Sequence, residues 1–119
     1  MLINLSNHPS SLWAEEQTNA AVQQFGNIVD LPFPQIEPQA TKDDIHRLAQ
    51  DYLNRVHQKG APDTTAIHIM GEMTLTFALV QMLKDAGYRC YASTTVREVY
   101  ESEPGKKTVI FQFVSFREY

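Results

Sequence analysis

The chain has 119 residues, of which 43% are hydrophobic, and a formal net charge of −4. That length supports one domain, residues 1–119, able to bury a core without help from metal or disulfide. The acidic balance argues against general duplex nucleic-acid binding, which needs a basic face, and no apolar run is long enough to span a membrane; a cytosolic protein is expected.

In chain order, Leu2 to Leu5 form a short strand, broken by the turn formers Ser6-Asn7-His8-Pro9-Ser10-Ser11. Either serine can cap a helix from about Leu12 to Phe25, with Glu15 and Glu16 in its first turn, where acids suit the helix dipole. Ala14, Thr18, Ala21, Val22 and Phe25 make the expected core stripe, and Gly26 stops the helix. Asn27 to Leu31 read as a second strand. Pro32, Pro34 and Pro38 then impose an extended loop, since proline suits neither helix interior nor central strand.

Thr41, followed by Asp43 and Asp44, opens a second helix to about Gln58, whose Ile45, Leu48, Tyr52, Leu53 and Val56 keep helical spacing. The central stretch runs from Thr65 to Val80. Its first part is a buried strand, Thr64 to Met70. Its last part begins a helix from Met73 or Thr74 to Ala86, apolar on nearly every side between Phe77 and Leu83 and therefore expected inside. Tyr88 to Ala92 give a fourth strand, Ser93-Thr94-Thr95-Val96-Arg97 a loop, and Glu101 to Lys107 a polar turn before the alternating Thr108 to Phe116. The stretches around that turn read as a hairpin at the sheet edge. Cys90, the one cysteine, sits among β-formers and reads as a buried thiol.

Strand and helix alternate three times before the β-rich end. The pattern predicts an α/β fold with a Rossmann-like, mainly parallel sheet, order 2-1-3-4 plus a C-terminal edge strand, and helices on both faces. Connections then reverse between strands 1 and 3, the switch point where open α/β sheets take ligands beyond their carboxyl ends. The loops Ser6–Ser11, Met70–Thr74 and Ser93–Arg97 are expected along that edge. Asn7, Ser10, Ser11, Thr74, Thr94 and Thr95 offer neutral hydrogen bonds there, Arg97 a charged fork, and His8 a proton exchanged near neutral pH. Gly71 lets a strand turn straight into a helix, whose first N–H groups favour an anion, while Trp13 and Phe33 could offer flat faces to a base. The set suits a phosphorylated or purine ligand. It does not suit a metal, because His8 and His68 fall on separate elements, and His46 and His57 lie on the surface pattern of the second helix without paired ligand spacing.

These residues also have ordinary structural readings. Trp13 can be core or an oligomer contact, His68 a satisfied core or interface histidine, Ser10 and Ser11 helix caps, and Arg97 a surface ion pair with Glu98 or Glu101.

The first strand ending in Ser6-Asn7-His8-Pro9-Ser10, and the central strand ending in His68-Ile69-Met70-Gly71-Glu72-Met73-Thr74 before an apolar helix, resemble the nucleotide-facing loops of CRISPR-associated Rossmann-like (CARF) domains. The compact chain is similar to the small stand-alone CRISPR-associated proteins that act as ring nucleases. In place of that family's commoner Gly-(Gly/Thr)-(Thr/Ser)-Lys turn it has Gly71-Glu72-Met73-Thr74. The resemblance implies a homodimer enclosing a cyclic oligoadenylate, the second messenger of type III CRISPR defence; no cofactor is expected and, from charge and hydropathy, no duplex nucleic acid and no membrane partner. It further implies metal-independent cleavage, in which a ribose 2′-hydroxyl attacks the adjacent phosphorus and leaves a 2′,3′-cyclic phosphate. On this chain Arg97 and the N–H groups near Gly71 would steady the phosphate, and His8 or Glu72 would move protons. Asn7, Ser10, Ser11, Trp13, Met70, Thr74, Thr94 and Thr95 would hold the ring. Two alternatives stand beside it: a binder that holds the ring uncut as sponge or sensor, and a small α/β protein acting on another phosphorylated metabolite.

Overall fold

Apolar strands with polar turns build a five-stranded sheet in the computed structural model, which describes residues 1–119. Strand β1 is Leu2–Ser6, β2 Ile28–Asp30, β3 Ala66–Met70, β4 Arg89–Glu103 and β5 Lys106–Glu118. Their order is β2-β1-β3-β4-β5, parallel throughout except for the antiparallel β4–β5 pair. The helices are α1, Glu15–Phe25; α2, Lys42–Lys59; and α3, Met73–Asp85. No helix is long and apolar enough to cross a membrane.

Alternation along the strands sorts side chains onto two faces. Ile3, Leu5, Ile67, Ile69 and Cys90 join Val56, Leu75, Leu79 and Leu83 in a 17-residue core under α2 and α3. Burial pushes the Cys90 thiol up to about 12, so it stays protonated and inert. On the opposite face Leu2 packs with Trp13 and Ala21 of the α1 side, bordered by Phe25 and Phe116. Helix α2 starts at a capping box: Thr41 Oγ1 accepts from Asp44 N–H (3.1 Å), and the Asp44 carboxylate accepts from Thr41 N–H (2.9 Å).

Four sequence expectations are corrected. The first helix begins at Glu15, three residues later than Leu12. Ser10–Leu12 form a 3-10 turn, and Trp13 is extended because its buried indole N–H donates to the His8 carbonyl (3.1 Å), which holds the chain off helical geometry. Gln17 is buried in that helix, while Val22 and Ala14 of the expected stripe are exposed.

Ser93–Arg97 is strand, not loop. Its β-branched Thr94, Thr95 and Val96 extend β4 against β5, with a register shift between Thr94 and Thr95. Helix α3 is not hidden all round either: Leu75, Ala78, Leu79, Val80 and Leu83 are buried, but Met73 and Phe77 are 84% and 66% exposed.

Beyond Tyr91, the last β4 residue in register with β3, strands β4 and β5 continue as a two-stranded arm. Val96, Val99, Tyr100, Val109, Ile110 and Phe111 stand exposed along it. The arm gives the molecule extents of 50 × 39 × 21 Å and a radius of gyration of 16.0 Å, against about 13.5 Å for a compact domain of this length.

Candidate functional site

The carboxyl ends of β1 and β3 carry polar residues inside otherwise apolar strands. Asn4, Ser6 and His68 are buried on the α1 face, in register, with Asn4 opposite Asp30 on one side and His68 on the other. Burial of so many polar groups requires that each be satisfied, and each is. Asn4 Nδ2 donates to Asp30 Oδ1 and to the His8 carbonyl, both at 2.9 Å. Asn4 Oδ1 receives the Ser6 hydroxyl (2.7 Å) and lies 2.8 Å from His68 Nδ1. His68 Nε2 lies 3.2 Å from Ser93 Oγ.

This network pins the loop after β1. The Asp30 carboxylate also accepts from Ser10 N–H (3.2 Å) and Ser10 Oγ (2.9 Å), and the His8 carbonyl takes Trp13 Nε1 as well. Ser10 therefore ties the loop to β2 and caps no helix. Asn7 and His8 are left exposed at the β1–β3 switch point, held by anchors on either side. Trp13 sits 5.4 Å edge-on from the His68 ring and 6.2 Å from Phe116, so it seals the network from the α1 side. Burial, with the nearby His8 charge second, lowers the His68 pKa to about 4, and the ring is neutral at pH 7.

The turn after β3 is occupied by its own acid. Glu72 caps α3: its carboxylate accepts from Thr74 N–H (3.0 Å), Leu75 N–H (2.9 Å) and the Thr74 hydroxyl (2.6 Å). Those bonds, the Thr74 hydroxyl foremost, hold its pKa below the ordinary carboxylate value and make it a weaker base. Gly71 is glycine for a packing reason, since a Cβ there would lie 2.5 Å from the buried Phe33 ring. The proline-rich loop thus closes over the same edge. Asn7, Phe33 to Pro38 and Glu72 line a cleft of about 420 Å³ there, whose charged groups, Glu37 and Glu72, are both acids.

The remaining predicted residues separate. Thr94 Oγ1 is engaged with Ser115 across the hairpin (2.8 Å), Thr95 is exposed at the register shift, and Arg97 lies opposite Phe111 on the arm. Six residues past Tyr91, Arg97 stands about 20 Å along the strand from the His68 row, so within one chain it does not join His8 or Glu72. Ser11 is exposed in the 3-10 turn, and Met70, 38% exposed, offers its thioether to Ser93 Oγ at 3.1 Å.

Asn4, Ser6, Asp30 and Ser93 are the residues that sequence reasoning passed over as site candidates. A signal existed: Asn4, Ser6 and His68 interrupt apolar strands at even spacing, so they share one face. No group of three His, Cys, Asp or Glu residues is placed to hold a metal ion. A larger cleft of about 640 Å³ lies at the opposite edge, lined by Met1, Phe25, Thr64, Arg89 and Tyr91 among others; it is away from the strand carboxyl ends and touches none of this network.

The chain matches the model of the uncharacterized protein MJ1673 family over residues 1–117. It belongs to that family. No curated protein and no solved structure matches it. In this MJ1673-family chain the matched span takes in all of the sheet but the last residue of β5, all three helices and the anchored loop Ser6–Ser11.

Proposed function

We propose that this MJ1673-family protein is a homodimer of Rossmann-like, CARF-like subunits that binds a cyclic oligoadenylate at the carboxyl edge of the sheet. The observation that carries the reading is the loop Ser6–Ser11, pinned from β1 and β2 so that Asn7 and His8 face outward at the switch point. The likeness of that loop and of Met70–Thr74 to nucleotide-facing CARF loops supplies the ligand class. An acidic cleft in one subunit is a poor phosphate site. In the proposed dimer this changes, because the arm that carries Arg97 away from its own subunit would bring the cation to the partner's edge.

Holding the ring is the reading the geometry favours over cutting it. Of the three groups suited to cleavage, Glu72 is engaged as a helix cap and Arg97 is remote within the subunit. His8 is the exception: its exposed side chain on an anchored loop favours a second reading, slow metal-free opening of the ring by the 2′-hydroxyl with His8 moving the proton.

The test is incubation with cyclic tri-, tetra- and hexa-adenylate in EDTA, with free, bound and cleaved nucleotide resolved by chromatography. Tight binding with the ring recovered whole is expected. Cleavage to 2′,3′-cyclic phosphate products that His8→Ala slows about 100-fold would establish the second reading. Neither binding nor cleavage would leave a protein acting on some other phosphorylated metabolite.

A further inference from the structure

The polar row crosses the sheet in strand order, Asp30 on β2, Asn4 on β1, His68 on β3 and Ser93 on β4. Its protons can be placed by elimination. Asn4 Nδ2 faces two acceptors, the Asp30 carboxylate and the His8 carbonyl, so the amide orientation is fixed. Asn4 Oδ1 then faces His68 Nδ1, which must carry the hydrogen. Nε2 is left with a lone pair aimed at Ser93 Oγ, 3.2 Å away. The Ser93 proton has one rival acceptor, the Met70 thioether at 3.1 Å, but a sulfur is the weaker acceptor. Every hydrogen bond in the row therefore points the same way, from Ser93 toward the Asp30 carboxylate, and each polarises the next.

A hydroxyl whose proton is given to His68 keeps its lone pairs to accept with. Ser93 is half-buried at the carboxyl end of the sheet, on the same face as the anchored loop. We propose that Ser93 is a ligand-contacting residue that acts only as an acceptor, selecting a hydrogen-bond donor on the nucleotide, either a ribose 2′-hydroxyl or the adenine amino group. Asp30, Asn4 and His68 are its positioning residues. This rests on the nucleotide reading above and adds which ligand chemistry that edge recognises. An acceptor there favours adenine over a base bearing a carbonyl at the same position where the donor is the amino group, or ribose over deoxyribose where it is the hydroxyl.

The test pairs a measurement on the protein alone with a binding comparison. Nitrogen-15 NMR of the His68 ring at pH 7 should show a neutral imidazole protonated on Nδ1, with the Nε2 resonance moving in Ser93→Ala. Affinity is then measured for the adenylate ring that binds best among the tri-, tetra- and hexa-adenylates, for its 2′-deoxy analogue and for its inosine analogue. Ser93→Ala should weaken the adenylate ring about three- to tenfold, the scale of one hydrogen bond. One analogue should bind wild type weakly to the same degree and lose nothing more in the variant, which names the donor as hydroxyl or amine. An Nε2-protonated tautomer overturns the relay. Unchanged affinity in Ser93→Ala, or equal losses with both analogues, overturns the contact alone. Wild-type protein that binds none of the rings overturns the function proposed above, and the contact with it, even where the tautomer is as stated.

Discussion

His68 is 2% exposed and neutral, with both ring nitrogens engaged. Its pKa of about 4 in the folded chain lies below the ordinary 6.5, so the unfolded chain binds the proton more readily. Stability contributed by the neutral ring is present above pH 6.5 and is lost as pH falls toward 4, because between those values unfolding takes up a proton. Denaturant unfolding at pH 7 and pH 5 should differ by about 2 kcal/mol, and His68→Gln should flatten that dependence. A second prediction concerns the turn after β3. Gly71→Ala forces a Cβ against the Phe33 ring and should cost about 1–3 kcal/mol. Glu72→Ala removes the cap of α3 and should cost about 1 kcal/mol in the same denaturant assay.

At the scale of elements, the arm formed by β4 and β5 is the feature with no partner in its own chain. A two-stranded ribbon is marginal in water, and Thr108–Phe116 presents nine consecutive uncharged residues on an edge strand. Both ribbon faces carry apolar groups: Val96 and Ile110 on one, Val99, Val109 and Phe111 on the other. A second copy covering the arm is expected, so Phe111→Ser with Val109→Ser should convert a dimer to a monomer by light scattering without lowering Trp13 burial in fluorescence. A double variant that remains dimeric would exclude the arm from the interface. The hairpin itself was readable from the alternation of Thr108 to Phe116, as were α2 from its cap and spacing and the strand order from chain handedness. What the sequence hid was long-range. Ser93–Arg97 looks like a polar loop until β5 is seen to pair with it, and Trp13 looks helical until its N–H is seen to reach the His8 carbonyl.

For the whole molecule, the same contrast applies to the site. The loops at the switch point follow from order and polarity along the chain, so Asn7, His8 and Ser10 could be singled out by reading it. The network that holds them, Asp30 to Asn4 to His68 to Ser93, joins four strands and depends on register. Two subunits joined through their arms would set two such edges against one ligand. Isothermal titration of the purified protein with a cyclic oligoadenylate measures this most directly. One ring bound per two chains, with the ring recovered intact in EDTA, is the predicted result; one ring per chain, or no heat with any ring, would contradict it.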